Sequence, residues 1–164
     1  MRLSTVTVFI GAITAAAACK SPDTNKVEAR QSKMSISEDV KRLEHFIRLP
    51  APPDGVRWLK EPQPGGGDLS LTAALRFGPQ AIAKVLEGSQ PFDVQPIVRI
   101  SRELAVALLP EPLHKGLGDG ATVAVPGTAV QPNLFISPET SSFIHGRAVV
   151  MKDEGIVLLS LFTM

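Results

Sequence analysis

The chain contains one cysteine, one tryptophan and no tyrosine in 164 residues. A single cysteine excludes an intramolecular disulfide. Aromatic residues make up only 5%, too few for a stacking platform that would hold sugars or bases. A large excess of either charge sign is missing as well. There are 17 basic residues against 16 acidic, and loss of residues 1–18 removes Arg2 alone, leaving 16 of each. A neutral chain lacks the basic stripe that a phosphate backbone requires, so nucleic acid is not an expected partner. The one long apolar run, residues 3–18, falls short of the about 20 residues that a transmembrane helix needs.

What is present is an ordinary globular composition, 44% hydrophobic and 20% charged, able to bury a core. The 14 prolines and 13 glycines gather mostly in connections, which implies a compact domain with many turns. At the N-terminus, Arg2 is followed by the apolar, small-residue stretch of residues 3–18, and the composition turns polar at "KSPDTNK" directly after Cys19. This is the pattern of an export signal. An ordinary signal peptidase accepts small residues such as Ala16 and Ala18 before its cut.

The only cysteine sits where a second processing route would use it. Ala16, Ala17, Ala18 and Cys19 resemble a bacterial lipobox, although Ala16 stands where the strongest form has leucine. The resemblance covers only the N-terminus and implies cleavage before Cys19 after its thiol has been acylated. Several acyl chains, each giving about 0.8 kcal/mol per buried methylene, anchor far more firmly than one myristoyl chain. In Gram-negative lipoproteins an aspartate after the cysteine retains the protein in the inner membrane. Lys20 at that position therefore implies the outer membrane, facing the periplasm. The expected organisation is a signal peptide over residues 1–18, a lipidated cysteine and flexible tether over residues 19–34, and one globular domain over residues 35–164. The tether carries no apolar periodicity and has a reach of about 20 Å as a coil.

Within the domain, "SISEDVKRLEHFIRLP" predicts a helix with Ser35 or Ser37 as cap and Ile36, Val40, Leu43 and Ile47 on one face. Residues 56–60 predict a strand with Val56 and Trp58 on one side. "LSLTAALRF" gives the cleanest alternation: Leu69, Leu71, Ala73, Leu75 and Phe77 face one way and Ser70, Thr72, Ala74 and Arg76 the other. These two strands predict a hairpin. Gly78 and Pro79 open a second helix that closes at Gly88, and Ser101 starts a third that Pro110 stops. Weak strands are expected at "ATVAV" and "NLFIS", and a final hairpin turns around residues 152–155. The predicted fold is α+β: an antiparallel sheet of about four to six strands built from hairpins, with two or three amphipathic helices packed on one face.

The residues that could carry chemistry are dispersed. His45, His114 and His145 share no metal-ligand spacing, and Pro110 and Pro112 oppose a helix that would align Glu111 with His114. No Gly-x-Ser-x-Gly motif occurs, and an acylated Cys19 offers no thiolate. "GLGDGAT" lacks the Lys-Ser/Thr ending of a phosphate loop and reads as a turn, while "PGGGD" reads as a loop between strands. Asp153 and Glu154 read as turn residues, not a catalytic carboxylate pair. No catalytic residue, metal ligand or cofactor is assigned. The expected function is that of an anchored envelope lipoprotein whose non-catalytic domain binds another envelope or secreted protein, for instance by strand addition at a sheet edge. The alternative is a carrier of a small apolar ligand or lipid in the periplasm, for which Leu108, Leu113, Leu117 and Phe135 would line a cavity.

Overall fold

A computed structural model describes residues 34–63, 67–137, 139 and 141–163; Cys19 and the segments on either side of it lie outside the described residues. The chain runs through α1 (Val40–Leu43), β1 (Gly55–Pro62), β2 (Leu69–Arg76), α2 (Pro79–Gly88), β3 (Arg99–Ser101), α3 (Arg102–Leu108), α4 (Glu111–His114), β4 (Thr122–Ala124), β5 (Thr128–Val130), β6 (His145–Met151) and β7 (Ile156–Phe162). A single 3-10 turn, Pro132–Leu134, follows β5. The main sheet has five strands in the order β1-β2-β7-β6-β5, every pair antiparallel, and β3 and β4 form a separate ribbon. The fold is α+β, and the sheet is built around hairpins as the sequence predicts.

The two clearest sequence signals become the two hairpins. β1 and β2 pair from Gly55 opposite Arg76 to Pro62 opposite Leu69. β6 and β7 pair from His145 opposite Phe162 to Met151 opposite Ile156. The turn between β6 and β7 needs a glycine: Gly155 has φ 65°, and its carbonyl accepts a 2.7 Å bond from the Phe77 N–H. That bond ties the turn to the end of β2. β7 reads as a nearly unbroken apolar run because it lies between β2 and β6 and is buried on both sides.

Alternation along the central strands feeds two cores. On one face Leu71, Ala73, Leu75, Val157, Leu159, Leu161, Ala148 and Val150 meet Leu43, Ile47, Ile82, Val85, Phe135 and Phe143. On the other, Ala74, Ile156, Leu158, Val149 and Met151 meet Ala105, Leu108 and Leu109 of the α3 region and Val98, Ile100 and Val123 of the ribbon. The helices are thus divided between the faces, α1 and α2 on one and α3 on the other. A second apolar face on β2, β6 and β7 could not be left to solvent.

Three local expectations are corrected. The first helix is one turn, not four, because Ser37 is drawn into a bridge with Trp58, exchanging N–H···O bonds of 2.8 and 2.9 Å. The cap is therefore Asp39, whose Oδ1 accepts from the Arg42 N–H at 3.0 Å, and Ile36 joins the opposite core from Leu43. "NLFIS" is not a strand: Pro132 has no N–H for a ladder, and the edge strand forms just upstream as β5. Glu111–His114 does form a helical turn, since Pro112 occupies a first-turn position where a missing N–H costs nothing. The second and third helices stand where predicted, α3 with the Ser101 hydroxyl accepting from the Leu104 N–H at 3.2 Å.

Candidate functional site

Both edges of the five-stranded sheet carry a cover. At β1 the Ser37–Trp58 bridge adds a short antiparallel segment, and in that register Glu38 falls opposite Arg57 and Ile36 opposite Leu59. At β5, Pro91 bridges Val130, the Gln131 N–H reaches the Gln90 carbonyl at 2.8 Å and the Ala129 N–H reaches Gln95 Oε1 at 3.0 Å. Partner strands would have to displace these segments, so edge addition is not the most accessible surface.

A concavity lies elsewhere, where the Gly55 end of β1, the Arg76 end of β2 and the start of β7 face the corner between α3 and α4. It is a groove of about 960 Å³. Its apolar floor comes from Ala74, Leu108, Leu113 and Ile156, with Pro110 and Pro112 forming a stiff wall. Ala74 leaves room there because its side chain ends at Cβ. Five of the fifteen lining residues are charged: Glu38, Asp54, Arg57, Arg76 and Glu154. All five are exposed, so they form a rim over the apolar floor.

The rim charges are held by backbone contacts more than by each other. The Asp54 N–H donates to the Arg76 carbonyl at 2.7 Å, which fixes the approach of the chain to β1 beside the end of β2. Arg57 Nε and Glu38 Oε1 lie 3.7 Å apart with side chains 44% and 75% exposed, a surface pair that contributes little to stability and can be remade by a ligand. Asp54, Arg76 and Glu154 have no ion-pair partner among the described residues.

The sequence-derived candidates are distributed as follows. Leu108 and Leu113 line the groove, whereas Leu117 and Phe135 are buried in the two separate cores, so only half of that set faces a cavity. His45 is exposed after α1. His114 places Nε2 2.8 Å from the Leu109 carbonyl, closing the α3–α4 corner. His145 stacks on Phe162 with ring centroids 5.7 Å apart, and its buried Nε2 has no hydrogen-bond partner among the described residues. The three histidines are not brought together, and the described residues contain no group of three or more His, Cys, Asp or Glu that could hold a metal ion. The loop at "GLGDGAT" is tied back to α3 through Arg102, which donates to the Gly118 carbonyl and lies 3.3 Å from Asp119 Oδ1.

Sequence reasoning missed the groove because its walls come from segments far apart in the chain. Glu154, read as a turn residue, is one, and it also stands on the rim. The available signal was Ala74 and Arg76, a small residue and then an arginine on the same face at the end of β2. No family model, curated protein or solved structure matches this chain.

Proposed function

We propose that this protein is a membrane-anchored envelope lipoprotein, acylated at Cys19, whose domain binds a segment of another envelope or secreted protein in the groove between the sheet and the α3–α4 corner. The observation that carries this reading is the mixed lining: an apolar floor under a rim in which one residue in three is charged. Acyl chains and sterol-like ligands make no use of carboxylates and guanidinium groups. A polypeptide segment matches such a surface, placing an apolar side chain on Ala74, Leu108 and Ile156 while its own charges meet Asp54, Arg76 and Glu154. Anchoring by Cys19 and transit to the outer membrane, as Lys20 implies, would hold the groove where exported partners pass.

Leu113 is a residue through which to test the groove, because it is half-buried in the α4 turn, lines the groove and packs only at the edge of the core under α3. Leu113→Glu is expected to weaken partner retention in envelope extracts about thirtyfold, the loss of one hot-spot contact of about 2 kcal/mol. Arg76→Glu, exposed on the rim of the same groove, should also weaken retention, with a melting temperature close to that of the parent. Lys84→Glu, on the exposed side of α2, should retain the partner fully. Equal retention by all three variants would remove the groove from the account. The groove volume also lies within the range of small-molecule sites, so the carrier reading has its own readout: a bound small molecule or lipid in native mass spectra, lost in Leu113→Glu.

A further inference from the structure

Gly55, the first residue of β1, lies on the groove, and nothing in the fold requires glycine there. Its φ is not positive, and a Cβ at that position would meet no atom within 4 Å beyond its chain neighbours. Gly146 and Gly155, by contrast, have positive φ and backbone already standing where a Cβ would go. A glycine in a strand gives up packing and costs conformational entropy, so one without such a need marks a place where another molecule comes close.

The register shows what surrounds the open space. Val56 and Trp58 face the core under α1 and α2, so Gly55 and Arg57 face the α3 side. Across the ladders Gly55 stands opposite Arg76, and Arg76 opposite Ile156 on β7. The place beside the Arg76 side chain that a β1 residue would fill is therefore vacant. Arg76 is exposed and has no ion-pair partner among the described residues. The neighbouring carboxylate of Asp54 is turned elsewhere: its Oδ2 lies 3.6 Å from the Cβ position of Gly78, at the start of α2, which has no side-chain cap and favours a negative charge. Diagonal to Gly55 is Ala74, part of the apolar floor.

We infer that the open space over Gly55 seats a carboxylate of the bound segment against Arg76, so that the groove selects an apolar residue with an acidic residue two positions away. The inference rests on the groove being a polypeptide site. Diagonal neighbours in an antiparallel pair stand about 7 to 8 Å apart, which matches side chains two residues apart in an extended segment, about 7 Å. An apolar side chain on Ala74, Leu108 and Ile156 thus brings the second side chain over Gly55, where it faces the guanidinium above bare backbone.

The test offers two pools of short synthetic peptides to the full-length protein in detergent. Both pools are random around a central leucine; one carries glutamate and the other lysine two residues away on either side. Capture is expected to favour the glutamate pool about fivefold, the worth of one partly exposed ion pair. Gly55→Val fills the seat with a strand-forming side chain. It should abolish that preference while raising the melting temperature by about 2 °C, because an unneeded glycine leaves the strand. Arg76→Gln should abolish the preference as well. If leucine peptides are captured and Leu113→Glu releases them, the groove stands. The seat is then overturned by capture that does not favour glutamate, by a preference that survives Gly55→Val, or by a clear drop in that variant's melting temperature. No capture of either pool by the parent removes the polypeptide reading of the groove and the inference with it.

Discussion

Leu159→Ala is expected to lower the free energy of unfolding by about 3 to 5 kcal/mol, the range for emptying a fully buried leucine site that cannot collapse. Leu159 is 0% exposed in β7, the middle strand of the sheet. Its neighbours across the two ladders are Ala73 on β2 and Ala148 on β6, both also 0% exposed. Their short side chains cannot swing into the space that the leucine leaves. The surrounding leucines and valines are held by the registers of three strands, so relaxation would have to move backbone. A domain of this size has a total stability of about 5 to 15 kcal/mol, so the loss is a large fraction of the whole. Urea unfolding followed by Trp58 fluorescence checks it: the midpoint should fall with the slope unchanged. A loss below about 1 kcal/mol would mean that the core around β7 is not packed as described.

Cys19→Ser is expected to move the protein from the membrane fraction to the soluble fraction almost completely, with no change in melting temperature. The hydroxyl of serine cannot take the place of the thiol that is acylated, and each lost chain removes about 0.8 kcal/mol per buried methylene. Fractionation by flotation, with mass spectrometry of the mature N-terminus, is the measurement. Retention of Cys19→Ser in membranes from cells lacking any partner would overturn the lipobox reading.

Much of the fold was legible because its signals are local. The alternation of residues 69–77 specifies β2 and both of its faces, Pro79 and Ser101 mark helix starts, and the residues around Gly155 mark the last turn. The first helix was misjudged because its decisive interaction is between Ser37 and Trp58, 21 residues apart, and no helical period contains that bridge. β3 and β5 have three residues each, too few to display a period. The division of the helices between two faces was hidden in Ala74, which reads as the polar side of its strand until α3 is seen to cover it together with Leu158 and Val149. The groove was least legible of all. Glu38, Asp54, Arg76, Leu113 and Glu154 have no spacing in common, and only the closing of both hairpins onto the α3–α4 corner assembles them.

The groove and the covered edges bear on each other. With Ser37 bridging Trp58 on the β1 edge and Pro91 to Gln95 along β5, a partner strand would meet a segment already in place at each edge. On the proposed reading, recognition falls to side chains, and those of the groove converge.

The most direct test places a photo-activated cross-linking residue at position 113, in the groove, and in parallel at position 84, on the outer side of α2, in cells that produce the full-length protein. The expected result is one discrete adduct of polypeptide mass from position 113, suppressed by Arg76→Glu on the groove rim, and none from position 84. Adducts of equal pattern from both positions, or none from position 113 with the protein correctly anchored, would contradict the claim that this groove is where the protein meets its partner.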